Sequence, residues 1–427
     1  MERSHGFHPE NNISNDEPYE PIFLQQIEKI THVPHTESVK PPSALEALMR
    51  LASAESSDRI GYTGPLLAAG ATEHNAHLEE FGHYQEIYPR DAYVSAKLLW
   101  FKYPELTKAT IRTCLPFTGN VDNLSNTEWR DEQEVGKMPH QIRDPEHQRS
   151  KRQYELRQRG YPYYGAVDTT QKNILAISRV SLSDLPDSLS FLNEQYQGLD
   201  EKSHSVFEGL NANVDWVTRR MLLNPEGLVE SIQINPLHHA NQSWVDSPDS
   251  FHHADGSLAR HHPEKNLGVA SVEVNAETYD ALLATIRIYE AILPRIESAE
   301  RSNLEETIET LTAQAAKLKQ SILEEFWVDD PEHFGGYFAR GTDRDEDGKL
   351  YPLKIRSSDM GHLLLSDVLD YDNPKVVSIV KNLFSPGMLA ENRIRTLSSD
   401  SARYHPEAYH NGSVWPWDTY TIALGLE

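Results

Sequence analysis

Helical periodicity returns repeatedly along this chain, and the helices are separated by long loops dense in Asp, Arg, Trp, Tyr, His and Asn. That alternation restricts the fold more than any other feature. Before the middle of the chain it appears in SALEALMRLAS, RDAYVSAKLLWFK, ELTKATIRTCL, TQKNILAISRV and FEGLNANVDWVTRRML, and after it in ETYDALLATIRIYEAI and NLEETIETLTAQAAKLKQSILEEFW. The last is the clearest: Leu304, Ile308, Leu311, Ala315, Leu318, Ile322 and Phe326 step by three or four residues and form one apolar stripe. Ser302 and Glu305 offer a capping box at its start. HFGGYFAR and LYPLKIR then read as two short strands, a hairpin around the turn-forming TDRDEDGK. Helices follow at GHLLLSDVL, PKVVSIVKNLF and VWPWDTYTIALGLE. Roughly ten helices, with no buried β-branched runs between them, predict an all-α fold of helix on helix rather than a doubly wound sheet.

Composition narrows the partners. The 427 residues are 38% hydrophobic and 25% charged, enough to bury a large core. Acidic residues outnumber basic ones by 65 to 40, and a formal charge of −25 repels a phosphate backbone, so nucleic acid is not an expected partner. The first residues lack a positive start followed by an apolar stretch, and no later segment approaches ~18 uninterrupted apolar residues, so no membrane partner is expected. These features predict a soluble, cytoplasmic protein. Cys114 stands alone, which rules out an intrachain disulfide and a thiolate zinc site. Residues 1–42 read as an irregular arm, with one short helix at FLQQIEKI, and residues 43–427 as a single domain.

Several chemistries lack their motif. There is no Gly-x-Gly for a dinucleotide, no Gly-Lys-Ser/Thr for a P-loop, no nucleophile elbow and no His-Glu-x-x-His. The pairs His238–His239, His252–His253 and His261–His262 invite a metal reading, but without helical spacing to a carboxylate they read better as loop-packing histidines. Asp343, Asp345, Asp347 and Gly348 imitate the opening of a calcium loop, yet Lys354 stands where a bidentate Glu is required, so the segment reads as a turn. Neither a metal nor a cofactor is expected.

The loops suit a sugar. Aromatic rings cover the C–H faces of a pyranose, while carboxylates, amides and guanidiniums satisfy its hydroxyls. QEIYPRDAY, NTEWRDEQEVGKMPHQIR, YPYYGAVDTT, ANQSWVDSPDSFHHADG and AYHNGSVWPWD all combine the two kinds of group. In order, these segments resemble those of the amylo-α-1,6-glucosidases and the mannosylglycerate and glucosylglycerate hydrolases. Pro89–Asp91 stands where that family has Gly-Arg-Asp. WRDEQEVGKMPHQIR is similar to its W-R-D-E-x-P-G-K-x-x-H-E-x-R, and YYGAVDTT to its Y-Y-G-x-V-D-A-T. NQSWVDSPDSFHHADG is similar to N-Q-G-W-K-D-S-x-D-S-x-x-x-A-D-G, and SSDMGHLL, IRTL and YHNGSVWPWD complete the series. The resemblance runs from about Tyr84 to Glu427. It implies an (α/α)6 toroid of the six-hairpin glycosidase type with a small β-hairpin insertion, and a carbohydrate substrate.

It also implies residue roles. Asp246 would be the general acid of an inverting hydrolase acting on an α-linked glucosyl or mannosyl unit of a small glycoside or an α-1,6 branch, with Trp244 excluding water and raising its pKa. A cap or turn is the rival reading of Asp246, and Asp249 is a rival acid that suits loop bracing better. Arg90 and Asp91 would clamp sugar hydroxyls, against an ordinary salt bridge at a helix start. Trp129, Asp131, Tyr163, Asp168, Gln242, His410, Asn411 and Trp415 would line the pocket, with core packing an equal alternative for the tryptophans. Glu273 would line a subsite or cap the following helix. The catalytic base of the family follows H-N-G-S-V-W-P by a few tens of residues, whereas eleven follow Pro416 here. The chain is therefore expected to lack the last helices of the toroid and its base, Glu407 being a poor substitute. A sugar-binding pseudo-enzyme is the alternative reading.

Overall fold

The computed structural model describes residues 87–122, 132–143, 145 and 148–427. The expected arm over 1–42, the first helical stretch, Trp129 and Asp131 lie outside the described residues.

Ten helices carry the described part: α1 (Pro89–Leu99), α2 (Pro104–Cys114), α3 (Gln148–Arg157), α4 (Thr169–Ser181), α5 (Val206–Met221), α6 (Val272–Ile292), α7 (Ser298–Glu325), α8 (Asp359–His362), α9 (Pro374–Leu383) and α10 (Pro416–Leu426). Four begin on proline, whose fixed φ and missing N–H suit a first turn. Ser205 and Glu208 close a reciprocal capping box on α5. The box expected at Ser302 is not used, because α7 starts a turn earlier: the Glu297 carbonyl accepts from the N–H groups of Glu300 and Arg301. GHLLLSDVL is helical only as α8. There the Asp280 carboxylate accepts from the Ser366 hydroxyl and the Asp367 N–H at 2.9 and 3.0 Å and draws the chain away.

Packing is helix on helix. α1 lies on α2 and α4, α4 on α5 and α6, α6 on α7 and α8, and α8 on α9 and α10. The stripe of α7 is buried from Leu311 to Phe326, with Leu304 and Ile308 packed at its rim. Small sheets are more numerous than the one expected hairpin. Strands β1 (Glu230–Ser231), β2 (Val269–Ser271), β3 (Gly341–Arg344) and β4 (Leu350–Pro352) form a four-stranded antiparallel sheet in that order. The hairpin is its β3–β4 edge, with Asp345 accepting from the N–H groups of Asp347 and Lys349 in the turn. Tyr337–Phe338 of HFGGYF pairs instead with Trp327–Val328. A second, smaller apolar cluster of Trp244, Val245, Phe251, Val269, Leu353, Ile355 and Leu397 lies under the loop between β1 and β2. That cluster seats the loop carrying Asp246. No helix among the described residues is long and apolar enough to cross a membrane.

Candidate active site

Arg90 projects from the first turn of α1 and Asp168 from the cap position of α4. The guanidinium grips both carboxylate oxygens, Nε to Oδ2 at 2.6 Å and Nη2 to Oδ1 at 3.0 Å, and Nη2 also donates to the Gln242 carbonyl at 3.3 Å. Nη1 turns to Asp246 Oδ2, 3.3 Å away. The Asp246 side chain keeps 20% exposure, which leaves it open to a ligand. Three histidines surround it: His140 Nε2 at 3.4 Å, His239 Nδ1 at 3.9 Å and His410 Nδ1 at 3.9 Å.

The expected rise in the Asp246 pKa is reversed. Burial favours the neutral form, but the His140 hydrogen bond and the charges around it outweigh burial and hold the carboxyl well below the usual range. Burial also pushes the His140 imidazole down to about 4, so at neutral pH the standing positive charge beside Asp246 is Arg90. Trp244 points elsewhere. Its Nε1 donates to Asp359 at 2.9 Å, and its ring stacks on His362 and meets Trp417 edge-on. Among the described residues, His140, His239 and Asp246 are the three donors close enough to share a metal ion, their ligating atoms lying within 4.8 Å of one another. Arg90 opposes a cation there.

Behind Arg90 the charges alternate inward. Lys172 Nζ lies 3.4 Å from Asp168 and 3.0 Å from Glu273, and also contacts Glu277. Burial lifts Glu273 to about 7 despite Lys172, and its Oε2 is sealed without a hydrogen-bond partner. The loops are tied from a second point. Fully buried Arg340 donates to Asp359 and Asn411 at 3.0 Å each, and to the backbone carbonyls of Ser250, Thr396 and His410.

The structure therefore brings Arg90, Asp168, Gln242 and Asp246 into direct contact, with Glu273 one lysine further in. Trp244, His410 and Trp415 pack together, and Asn411 joins them through Arg340. Tyr163 is fully buried, its hydroxyl accepting from the His239 N–H at 3.1 Å, so it supports the histidines. Gly165 makes room for that ring, since a Cβ there would lie 2.0 Å from the Tyr163 oxygen. Asp91 is exposed at the start of α1, next to Arg90 in sequence. Asp249 braces its loop, its carbonyl accepting from Asn411, and Glu407 is exposed.

Sequence reasoning passed over His140, although it stands inside a quoted segment, and Glu132, whose carboxylate meets His238 at 2.8 Å and Gln242 at 2.9 Å. It also passed over Arg340, for which the sequence holds no signal beyond its place in a strand-like run. The buried Asp343 meets His253 and the Arg260 N–H, which makes it a structural anchor of β3.

Residues 126–427 match the family model described as the mannosylglycerate hydrolase MGH1-like glycoside hydrolase domain. Among solved structures, a GH63 mannosylglycerate hydrolase from Thermus thermophilus in complex with Tris superposes at a TM-score of 0.54 and 12% identity, covering 81% of this chain and 82% of that one. In complex with glucose, the same hydrolase gives 0.51 and 14%, over 81% of each chain. At such identities the likeness speaks for the fold alone. Against a sialidase the TM-score is 0.42 at 13% identity, and this chain spans 26% of that one, a likeness that carries no argument. No curated protein matches the sequence.

Proposed function

This chain belongs to the mannosylglycerate hydrolase MGH1-like glycoside hydrolase family, and from that footing we propose an inverting hydrolase of α-linked glucosyl or mannosyl units, built on an (α/α)6 toroid, with Asp246 as general acid. The carrying observation is convergence. Arg90 of α1, His140 of a separate loop and His410 of the last loop all meet the same carboxyl, which stays partly open to solvent. In this reading Asp246 protonates the leaving oxygen as the glycosidic C–O bond breaks. A water molecule attacks the anomeric carbon from the opposite face, giving its proton to a second carboxylate about 6.5–9.5 Å away. We assign no base among the described residues.

An acid must first hold a proton, and Arg90 works against that. A bound sugar that displaces water raises the cost of the ionised form, and a sugar hydroxyl inserted at Arg90 Nη1 weakens the 3.3 Å contact. Asp168 fixes the guanidinium of Arg90 from behind, which presets Nη1 to meet a sugar hydroxyl beside Asp246. The reading is tested with the full chain on a panel of α-glucosides and α-mannosides, following the released anomer by NMR. Release of the β-anomer from the wild type, lost in Asp246→Asn, supports it; turnover unchanged in that variant overturns the acid assignment.

A further inference from the structure

The two oxygens of the Asp246 carboxyl stand in different surroundings. Oδ2 meets nitrogens from three sides: Arg90 Nη1 of α1 at 3.3 Å, His140 Nε2 at 3.4 Å and His239 Nδ1 at 3.9 Å. Oδ1 is faced by His410, whose Nδ1 is 3.9 Å away. What His410 offers that oxygen depends on which ring nitrogen carries the hydrogen. The backbone N–H of Ser247 points at Nδ1 from 3.2 Å, and the Ser247 hydroxyl lies 2.8 Å from the same nitrogen. A backbone amide can only donate, so Nδ1 carries a lone pair and the hydrogen is on Nε2. Burial keeps the ring neutral, pushing its pKa down to about 4. Packing fixes its plane: His410 is buried, stacks on Trp415 and meets Trp244 and Tyr409 edge-on.

The tautomer sets the sign of this contact. A hydrogen on Nδ1 would point at Oδ1 and stabilise the ionised carboxylate, as the His140 hydrogen bond does on the other oxygen. A lone pair does the reverse, repelling an ionised Oδ1 and attracting a protonated one. Negative charge is therefore favoured on Oδ2, beneath Arg90, and a proton entering the carboxyl is favoured on Oδ1. His410 does not take that proton for itself, because burial disfavours its charged form and the two Ser247 donors already share the lone pair. At 3.9 Å the contact is also longer than a hydrogen bond, which leaves the proton free to be passed on.

We propose that Asp246 delivers its proton from Oδ1, and that His410 is a positioning residue whose lone pair, aimed by the Ser247 amide, favours that proton on Oδ1 until the glycosidic oxygen arrives. The proposal rests on the hydrolase reading and adds the group that offsets Arg90. In the step itself the proton passes from Oδ1 to the leaving oxygen, which keeps the electron pair of the breaking C–O bond. Asp246 is left ionised and His410 unchanged.

The test uses the full chain, as wild type, His410→Phe and His410→Asn, each checked for a wild-type circular dichroism spectrum. Phe keeps a ring and removes the lone pair, whereas Asn sets an amide oxygen where Nδ1 stands. Substrates are the methyl and glycerate α-glycosides of glucose and mannose, whose alcohol leaving groups need a proton, and the matching glycosyl fluorides, which need far less help. The readout is the loss of kcat/KM on the alcohol glycoside relative to the loss on the fluoride of the same sugar. His410→Phe is expected to lose at least about 10-fold more on the alcohol glycoside, with His410→Asn recovering part of it. Equal losses on the two substrates, or an Asn variant no better than Phe, overturn the proposal. So does a wild type that cleaves the fluorides and none of the alcohol glycosides. Nitrogen-15 NMR of histidine-labelled protein reads the tautomer directly, the His410 signals being those absent from His410→Phe. A hydrogen on Nε2 at pH 7 is expected, and one on Nδ1 overturns the proposal whatever the activity. A wild type that turns over no substrate of either kind removes the hydrolase reading, and the proposal with it.

Discussion

Arg90 Nη1 stands 3.3 Å from Asp246 Oδ2 while the rest of the same guanidinium holds Asp168 at 2.6 and 3.0 Å. One side chain thus links the open carboxyl of the site to the buried charges behind it. Removing its charge lets the Asp246 pKa climb. In Arg90→Gln, kcat falls because the contact with the sugar hydroxyl is lost, and the alkaline limb of the pH–rate profile moves to higher pH. A limb that stays in place would show that Arg90 does not set the proton affinity of Asp246.

Asp246→Asn keeps the shape of the loop and removes the transferable proton. A loss of about 10²–10⁴ in kcat is expected, with a smaller change in KM. Steady-state kinetics on an α-glycoside that the wild type cleaves measures both.

Glu273 gives a stability signature. Its folded pKa of about 7 lies above the ordinary 4.5, so the native state holds this proton more tightly than the unfolded chain. That contribution is full below about 4.5 and is lost as pH rises through about 7. Glu273→Gln should therefore flatten the fall in Tm between pH 5 and 7.5. A variant as steep as the wild type would place the titrating group elsewhere.

Arg340→Met leaves Asp359 buried without its guanidinium and frees the loops at Ser250, Thr396 and His410. Breaking such a buried pair costs about 3–5 kcal/mol. Urea denaturation measures it as a lower midpoint.

Trp244→Phe keeps much of the ring packing but withdraws the donor at 2.9 Å from Asp359. Asp359 still holds Arg340, so the loss should be the smaller one, about 1.5–3 kcal/mol. The same denaturation series ranks the two variants.

Much of this was legible in the residues. The stripe from Leu304 to Phe326 named α7 and its buried face, because a helix packed on one side has a period that sequence displays. Arg90, Asp168, Gln242 and Asp246 stood in ordered segments, and the structure draws those four together. By contrast, α3 escaped notice, since QRSKRQYELR is almost wholly polar and has no stripe to read. The direction of the Asp246 pKa was misread from its neighbour in sequence, Trp244, when its neighbours in space are Arg90 and His140. Tertiary pairing decided that, and spacing along the chain does not reveal it. The same holds for Lys172, an ordinary polar residue of TQKNILAISRV until α6 brings Glu273 and Glu277 against it.

Arg340 grips its loops largely by their carbonyl oxygens, a group every amino acid carries. Side chains at Ser250, Thr396 and His410 can then be exchanged without loosening that hold, provided the backbone path is kept. Loops anchored in this way are places where selection, or a protein engineer, can rewrite a pocket while its frame persists, and one ordinary-looking arginine would be the fixed point around which the rewriting happens.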